Sequence, residues 1–535
     1  MDLRFTVVAA FTRNLRSQRT NLSGEIFEEA VLADPVLEAE LLPELLADLV
    51  AASALPDLDG DDLARISAGG EQAVRRKGDR VRASSRSSFV PVLDNPSNTE
   101  WKRRRGSVKR ATSQAMGVEQ EKSAVYGHMF STVVPGDVTG EAVVHELADM
   151  DLVTKLHYLR AVYYFSQSEV VDGLAITDLK RPMFPWLNVL YPLAGRIRRA
   201  EAGRPFIKCN DCGLRIVEAS CSKTLEEWLD AEDDPRWRSL VPEKILGPEL
   251  PFSPLVYIQF TRFKCGGMAI GYSWSHVLGD AASATNCINL WGDFLNGNDP
   301  PTKPFQLSNM QNTAQDYAPQ KAPASVKQVE IANDCWLFPN ACKMATHSFK
   351  ITETELDKEQ KGQKLQFELI AALFWSCLSK IQSGKELKLA TICRHGTQAK
   401  CSDMLSNNIR TSTVKLDSSA ASVGLFRLAN LIVEQELDEL ESVEQLVDRN
   451  SGKPDFLLYG ANLTFVDMRG INLFGLELKG QKPVKVDLSI DGVGDEGAVL
   501  VLPCPQRSDV TVMVILPEDQ IPKLRRVLDS EFGIA

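Results

Sequence analysis

The most constraining feature of this sequence is one continuous stretch, residues 255–291, in which two apolar strands lead into a helix. The segments LVYIQFTRF and GGMAIGYSWS are rich in β-branched and aromatic residues and meet at a glycine pair, which predicts two strands joined by a tight turn. The helix that follows, ATNCINLWGDFL, places Ile288, Trp291 and Leu295 on one face. Strands and an amphipathic helix this close together predict a mixed α/β fold.

The length and charge of the chain narrow the class of protein. Its 535 residues exceed the roughly 100–150 typical of one domain, so we expect two or more cores. A formal charge of -11 argues against a nucleic-acid partner, because phosphate binding needs a positive surface. No apolar run reaches the roughly 18 residues of a membrane span, and eleven scattered cysteines favour reduced thiols in the cytoplasm.

Cys209 and Cys212 form the pattern C-x-x-C, which can ligate zinc. A structural zinc site needs two further ligands at similar spacing, and the sequence has neither a second C-x-x-C nor an H-x-x-x-H. We therefore expect two thiols near a turn and no metal.

Composition divides the chain into four segments. Residues 1–115 combine a Leu/Glu/Asp-rich part with basic, Ser-rich runs, and this composition predicts a mostly disordered extension. The alternatives are a nuclear-import signal or a membrane-surface patch for the basic runs, and a transit peptide for the N-terminus. Residues 120–300 alternate strands and helices as a first domain. A Pro/Gln/Asn-rich crossover loop spans residues 301–340, and residues 341–535 form the second domain.

The second domain contains several clear elements. HSFKIT predicts a strand, and QFELIAALFWSCLSKI predicts a buried helix with apolar residues at helical spacing. GAVLVLP and DVTVMVILP predict two further strands near the C-terminus. EDQIPKLRRVLDSEF predicts a final amphipathic helix with acidic residues in its first turn.

His276 is the candidate catalytic residue. It ends an apolar strand and precedes Gly279 and Asp280 in a turn from which a side chain can project into a cleft. An imidazole there can accept a proton near neutral pH, because its ordinary pKa lies close to the operating range. The H-x-x-x-D pattern alone is common by chance, so a structural histidine is the alternative.

The surrounding residues resemble one known family. The stretch LVYIQFTRFKCGGMAIGYSWSHVLGDAASATNCINLW is similar to the core block of the plant BAHD acyltransferases, and NVLYPLAGRIR, FELIAALFWSCL and GDEGAVLVLPCP resemble other segments of that family in the same order. The resemblance covers the chain from about Ser123 to its end. It implies a two-domain fold like that of chloramphenicol acetyltransferase, with mixed sheets flanked by helices and a channel between the domains.

The resemblance also implies a mechanism. His276 would be the general base that deprotonates an acceptor hydroxyl or amine, which then attacks the thioester of acyl-CoA as substrate, with no cofactor, metal or covalent enzyme intermediate. Asp280 would orient the histidine-bearing turn by pairing with an arginine of the second domain. Arg394, in LATICRHGT, is our candidate for that arginine.

One segment departs from the family. The family has D-F-G-W-G near its cofactor channel, and the corresponding residues here, aligned on Lys482–Pro483, are Glu477, Leu478, Lys479, Gly480 and Gln481. None of the five matches. A loop without the aromatic residue and the two glycines is expected to follow a different backbone path.

Further segments indicate which branch of this family the chain resembles. HVLGD, GANLTFV, KCNDCGLRIVEA and MDLVTKLHYLRAVYYF resemble the eceriferum/glossy branch, whose members promote very-long-chain acyl elongation for cuticular wax with the fatty-acid elongase condensing enzymes at the endoplasmic reticulum. Two hypotheses follow. The chain is a non-catalytic elongation factor, monomeric on its own, that binds a condensing enzyme and acyl-CoA; or it is a conventional acyl-CoA-dependent O- or N-acyltransferase. The resemblance places either one in the cytoplasm or peripherally at the cytosolic face of that membrane.

Overall fold

A computed structural model describes residues 123–230, 235–298, 322–330, 335–337, 340–352, 366–382, 387–395, 404–450, 452–505 and 509–534. The predicted disordered extension, residues 1–115, lies outside the described residues, as does most of the predicted crossover at 301–340. Every described residue belongs to a single structural unit that begins at Gln120.

The strands and helices of this unit alternate along the chain. The strands are β1 Val125–Val133, β2 Val144–Glu146, β3 Tyr158–Phe165, β4 Arg196–Arg199, β5 Pro205–Lys208, β6 Leu214–Cys221, β7 Val256–Phe263, β8 Met268–Ser275, β9 Lys327–Val329, β10 Met344–Ile351, β11 Leu389–His395, β12 Ile409–Lys415, β13 Leu437–Asp438, β14 Asp455–Leu457, β15 Leu463–Asp467, β16 Lys485–Asp491, β17 Ala498–Pro503 and β18 Val510–Pro517. The helices are α1 Asp149–Val153, α2 Glu169–Gly173, α3 Ile176–Lys180, α4 Met183–Val189, α5 Leu225–Leu229, α6 Ala281–Asn296, α7 Gln366–Ile381, α8 Leu425–Glu434, α9 Leu440–Arg449 and α10 Ile521–Phe532.

Two large mixed sheets organise these elements. The first has the order β1-β6-β7-β8-β3-β16, in which only β6 and β7 run parallel. The second has the order β10-β18-β17-β15-β11-β12-β13, with parallel pairs at its centre. Smaller sheets pair β14 with β9, and β2 and β4 with β5. The prediction of a mixed α/β fold is confirmed.

The strand–turn–strand–helix prediction at the centre of the first sheet is also confirmed. Strands β7 and β8 pair antiparallel, and Gly266 turns the chain with a φ of 92° that favours glycine. Helix α6 begins at an Asp280 N-cap and ends at Gly297 in the left-handed region. Its predicted apolar face is buried, so this helix covers the sheet beside His276.

The predicted strands and helices of the second half are likewise present, but the last helix, α10, begins at Ile521, so that Glu518 and Asp519 lie in a 3-10 turn before it and not in its first turn. HSFKIT lies within β10, and QFELIAALFWSCLSKI forms α7, whose residues from Leu369 to Leu378 are all buried. A helix buried on this many sides needs partners on more than one face, and α7 packs against both α8 and α10. The two C-terminal strands are β17 and β18, which pair antiparallel.

The two halves of the chain share one core. The largest hydrophobic cluster combines residues of the first sheet and α6 with residues such as Tyr459, Leu476 and Leu500 from the second half. Strand β16 belongs by sequence to the predicted second domain, but it pairs with β3 and completes the first sheet. The second half therefore contributes to both sheets. No helix in the part of the chain that the structure describes is long and apolar enough to cross a membrane.

Candidate functional site

His276 lies where β8 ends and a short 3-10 turn, His276–Leu278, leads into α6. Its backbone N–H donates to the carbonyl of His157 at 3.1 Å, and its carbonyl accepts from Asn407 Nδ2 at 2.9 Å. Gly279 has a φ of 144°, and a Cβ there would lie 2.7 Å from Ser283 Cβ, so the turn requires glycine. The backbone of the histidine is thus fixed from three sides.

The His276 imidazole is fully buried. Its Nε2 lies 3.1 Å from the hydroxyl oxygen of Tyr459, while Nδ1 has no hydrogen-bond partner among the described residues. Burial lowers the pKa of His276 to about 4, against the opposing effect of Asp280. The ring is therefore neutral at pH 7, and its Nε2 is already paired with the Tyr459 hydroxyl.

A second buried histidine, His157, forms the other wall of this site. Its Nε2 accepts the backbone N–H groups of Leu458 and Tyr459 at 3.3 and 3.4 Å, so in the neutral ring the proton resides on Nδ1. The Tyr459 ring lies 4.8 Å from the His157 ring and 5.6 Å from the His276 ring, and so contacts both. Burial, and secondarily His276, lowers the pKa of His157 to about 3.

Asp280 caps α6 and links it to the second sheet. Its Oδ1 accepts the Ser283 N–H at 3.0 Å, and its Oδ2 accepts the Asn408 N–H at 3.1 Å and lies 3.2 Å from His395 Nδ1. Burial alone would raise the pKa of Asp280, but these hydrogen bonds, that of His395 foremost, hold it below its ordinary value. The carboxylate therefore stays ionised, and His395 must donate from Nδ1.

The predicted pairing of Asp280 with Arg394 is wrong. Arg394 donates to Glu368 at 2.8 Å and to Glu436 at 3.0 Å, and its guanidinium lies over the Phe367 ring at 4.8 Å. The reason is strand alternation: Arg394 and His395 are neighbours in β11, so their side chains point to opposite faces. The residue that faces Asp280 is His395, one position from the candidate.

A hydrogen-bonded pair that the sequence did not indicate supports the same turn. Asn407 Nδ2 bridges the His276 carbonyl and Asp151 Oδ1, at 2.9 and 2.8 Å. Burial raises the pKa of Asp151 to about 7. Helix α1, which carries Asp151, is thereby tied to the His276 turn and to the segment that precedes β12.

Two cavities in the described part of the chain lie away from the His276 imidazole, which lines neither of them. One, of about 160 Å³, lies beside β1. The other, of about 260 Å³, is lined by Leu156, Tyr158 and Gly492, among others, and so reaches the neighbours of His157. The rings of His157 and Tyr459 pack beside the His276 imidazole, and the channel that the resemblance implied stays a prediction at this position.

The segment that replaces D-F-G-W-G forms a tight turn. Leu478 and Gln481 exchange backbone hydrogen bonds of 2.9 and 3.0 Å, and the two residues between them have φ angles of 50° and 83°. Positive φ at both central residues is typical of a type I′ turn. The segment packs on α6, where a Cβ at Gly292 would lie 2.9 Å from Leu476 Cδ1. A backbone path different from the family's stays a prediction.

The described residues contain no group of three or more His, Cys, Asp or Glu side chains that could hold a metal ion. Cys209 is buried there, and Cys212 is partly exposed. Burial raises the pKa of the Cys209 thiol to about 12, which leaves it protonated at pH 7.

Comparison with known proteins decides the family. Residues 130–529 match the Transferase family, which is most of the chain. The chain belongs to the BAHD transferase family. Within this family, Protein ECERIFERUM 26-like of Arabidopsis thaliana is 37% identical over 415 residues, which cover 77% of this chain and 97% of that protein. Protein ECERIFERUM 2 of the same plant is 36% identical over 423 residues, which cover 76% and 98%.

Solved structures share the fold of this BAHD protein. Vinorine synthase superposes with a TM-score of 0.59 at 16% identity, over 76% of this chain and 98% of that one. F. sporotrichioides TRI101, complexed with coenzyme A and T-2, gives a TM-score of 0.56 at 15% identity, over 72% and 97%. The predicted family, its eceriferum branch and the acyltransferase fold are confirmed.

Proposed function

We propose that this BAHD protein promotes very-long-chain acyl elongation for cuticular wax together with a fatty-acid elongase condensing enzyme, and that His276 takes no proton in that work. The ECERIFERUM relatives, which match along nearly their whole length, support the elongation role. The proposal extends to acyl-CoA as ligand, to a monomeric state apart from the condensing enzyme, and to peripheral attachment at the endoplasmic reticulum through that enzyme.

The state of the His276 ring carries the non-catalytic part of the proposal. A general base must reach the proton that it removes, either directly or through one water molecule. Here Nε2 is fully buried and already paired with Tyr459, and neither cavity is lined by the imidazole. An acceptor would have to displace the Tyr459 hydroxyl to reach this nitrogen.

The pair His276 and Asp280 has a structural use instead. Asp280 joins the start of α6 to His395 and Asn408 of the second half. The His276 carbonyl accepts from Asn407 of the same second-half segment. The Asp280 side chain and the His276 backbone thus tie the start of α6 to the second half, and the His276 side chain adds its pairing with Tyr459, all without proton transfer.

Co-expression in yeast with a plant condensing enzyme tests the proposal. His276→Gln keeps an amide that can pair with Tyr459, and His347→Gln on β10 serves as a matched control. We expect both variants to give the wild-type distribution of fatty-acid chain lengths by gas chromatography, at equal protein levels on immunoblots.

Loss of the longest chains with His276→Gln alone, at an unchanged protein level, would overturn the non-catalytic role and favour the conventional acyltransferase. Absence of any elongation with the wild-type protein would refute the elongation role itself.

A further inference from the structure

We propose that Tyr459 occupies the acceptor position at His276 and is the residue that closes the imidazole to every other hydroxyl or water molecule. This inference rests on the proposed function in one respect, since both hold that His276 transfers no proton. The further point is that the Tyr459 side chain is what prevents the proton transfer. Removing this side chain is therefore expected to expose the His276 imidazole.

The distance supports this role. A general base and the hydroxyl that it deprotonates lie about 2.6–3.2 Å apart between heavy atoms. The Tyr459 hydroxyl oxygen lies 3.1 Å from His276 Nε2, within that interval. An acceptor hydroxyl would need this same place, so it cannot bind while the tyrosine side chain is there.

The tyrosine is held firmly by its backbone. The Tyr459 N–H donates to His157 Nε2, and its carbonyl accepts the Gly494 N–H at 3.0 Å. The next residue, Gly460, packs so closely on Gly494 that a Cβ would lie 2.4 Å from the Gly494 nitrogen. Because the backbone is fixed on both sides, we take the Tyr459 ring to stay beside His276 and not to swing aside.

Removal of the ring would leave space beside both imidazoles. The centroids of His157 and His276 are 6.4 Å apart, and Tyr459 contacts both rings. On the far side, an ideal Cβ at Gly492 would lie 3.4 Å from His157 Nδ1, and Gly492 lines the cavity of about 260 Å³. The vacated volume would thus lie one side chain away from an existing cavity.

Diethyl pyrocarbonate is a suitable probe of this closure. It acylates a neutral imidazole, forming an N–C bond and releasing carbon dioxide and ethanol. Because burial lowers the pKa of His276 to about 4, the ring is neutral at pH 7 and access alone limits its reaction. The exposed His128 on β1 reports the intrinsic rate in the same sample.

The experiment compares His276 modification, mapped by peptide mass spectrometry, in the full chain. We expect Tyr459→Ala to raise the rate at least about tenfold over wild type, the factor that 1.4 kcal/mol of lost protection produces. Tyr459→Phe keeps the ring and is expected to stay protected. Added phenol, which can refill the vacated space, should restore protection in Tyr459→Ala, as small aromatics fill engineered cavities.

Tyr163→Ala is the matched control, because Tyr163 is also fully buried and lies in β3 away from the imidazole. It should leave His276 unreactive while costing similar stability. If Tyr459→Ala does not fold, Tyr459→Leu takes its place with the same expected direction.

Wild-type protection of His276 in the folded alanine or leucine variant, with His128 reacting normally, would overturn the proposal. Equal reactivity of Tyr459→Phe and Tyr459→Ala would also overturn it, because the filled space would then not be the barrier. The yeast assay measures elongation and not access, so either proposal can fail while the other stands.

Discussion

Replacing Asp280 by alanine tests whether this carboxylate holds the two halves together. The change removes the N-cap of α6, which typically costs about 1 kcal/mol. It also leaves the His395 Nδ1–H and the Asn408 N–H without their acceptor, at about 1–2 kcal/mol each, the lower part of the usual range, because both donors are only partly buried. We expect Asp280→Ala to lower the free energy of unfolding by about 3–5 kcal/mol in all.

Thr224→Ala provides the comparison for this prediction. Thr224 caps α5 through Glu227 and makes no link to the second sheet, so its loss should cost only about 1 kcal/mol. Urea unfolding at pH 7, followed by circular dichroism and tryptophan fluorescence, measures both variants. Equal losses for the two variants would show that the bonds to His395 and Asn408 contribute nothing, and the bridging role of Asp280 would be refuted.

Two other predictions concern pH and the backbone. The pKa values of His276 and His157 in the folded protein, about 4 and about 3, lie below the unfolded value of 6.5, so protonation of either ring favours unfolding. The contribution of both histidines to the free energy of unfolding should therefore be full above pH 6.5 and fall toward pH 4. A midpoint of urea unfolding that does not change with pH over this interval would contradict the prediction. Gly460→Ala should lower the free energy of unfolding by several kcal/mol more than Gly533→Ala, as measured by thermal unfolding. Both glycines have positive φ, but only at Gly460 would a Cβ clash, with Gly494. Equal melting temperatures for the two variants would contradict this reason.

Local patterns in the sequence predict much of the fold. The hairpin and helix around Gly266 and the buried helix α7 follow from periodicity and turn residues within one segment, and the structure has them where they were expected. The pairing of β16 with β3 could not be read in this way, because it joins segments that are far apart in the chain.

The site shows the same division between local and distant information. His276 and Asp280 lie in one segment and were found by their resemblance to a known motif. The partner of Asp280 was missed by one residue, because the sequence favoured a charged arginine and did not reveal which face of β11 each side chain takes. Tyr459 lies 183 residues from His276, and nothing in its own segment indicates that its hydroxyl pairs with an imidazole.

The placement of β16 bears on how this polypeptide matures on the ribosome. One edge of β3 stays unpaired until residues Lys485–Asp491 (β16) have been synthesised, long after Tyr158–Phe165 (β3). A nascent chain that has emerged only to α6 therefore displays an open sheet edge, of the kind that invites aggregation. A fragment that ends at α6 would lack the strand that completes the first sheet, whereas every strand of the second sheet comes from the second half.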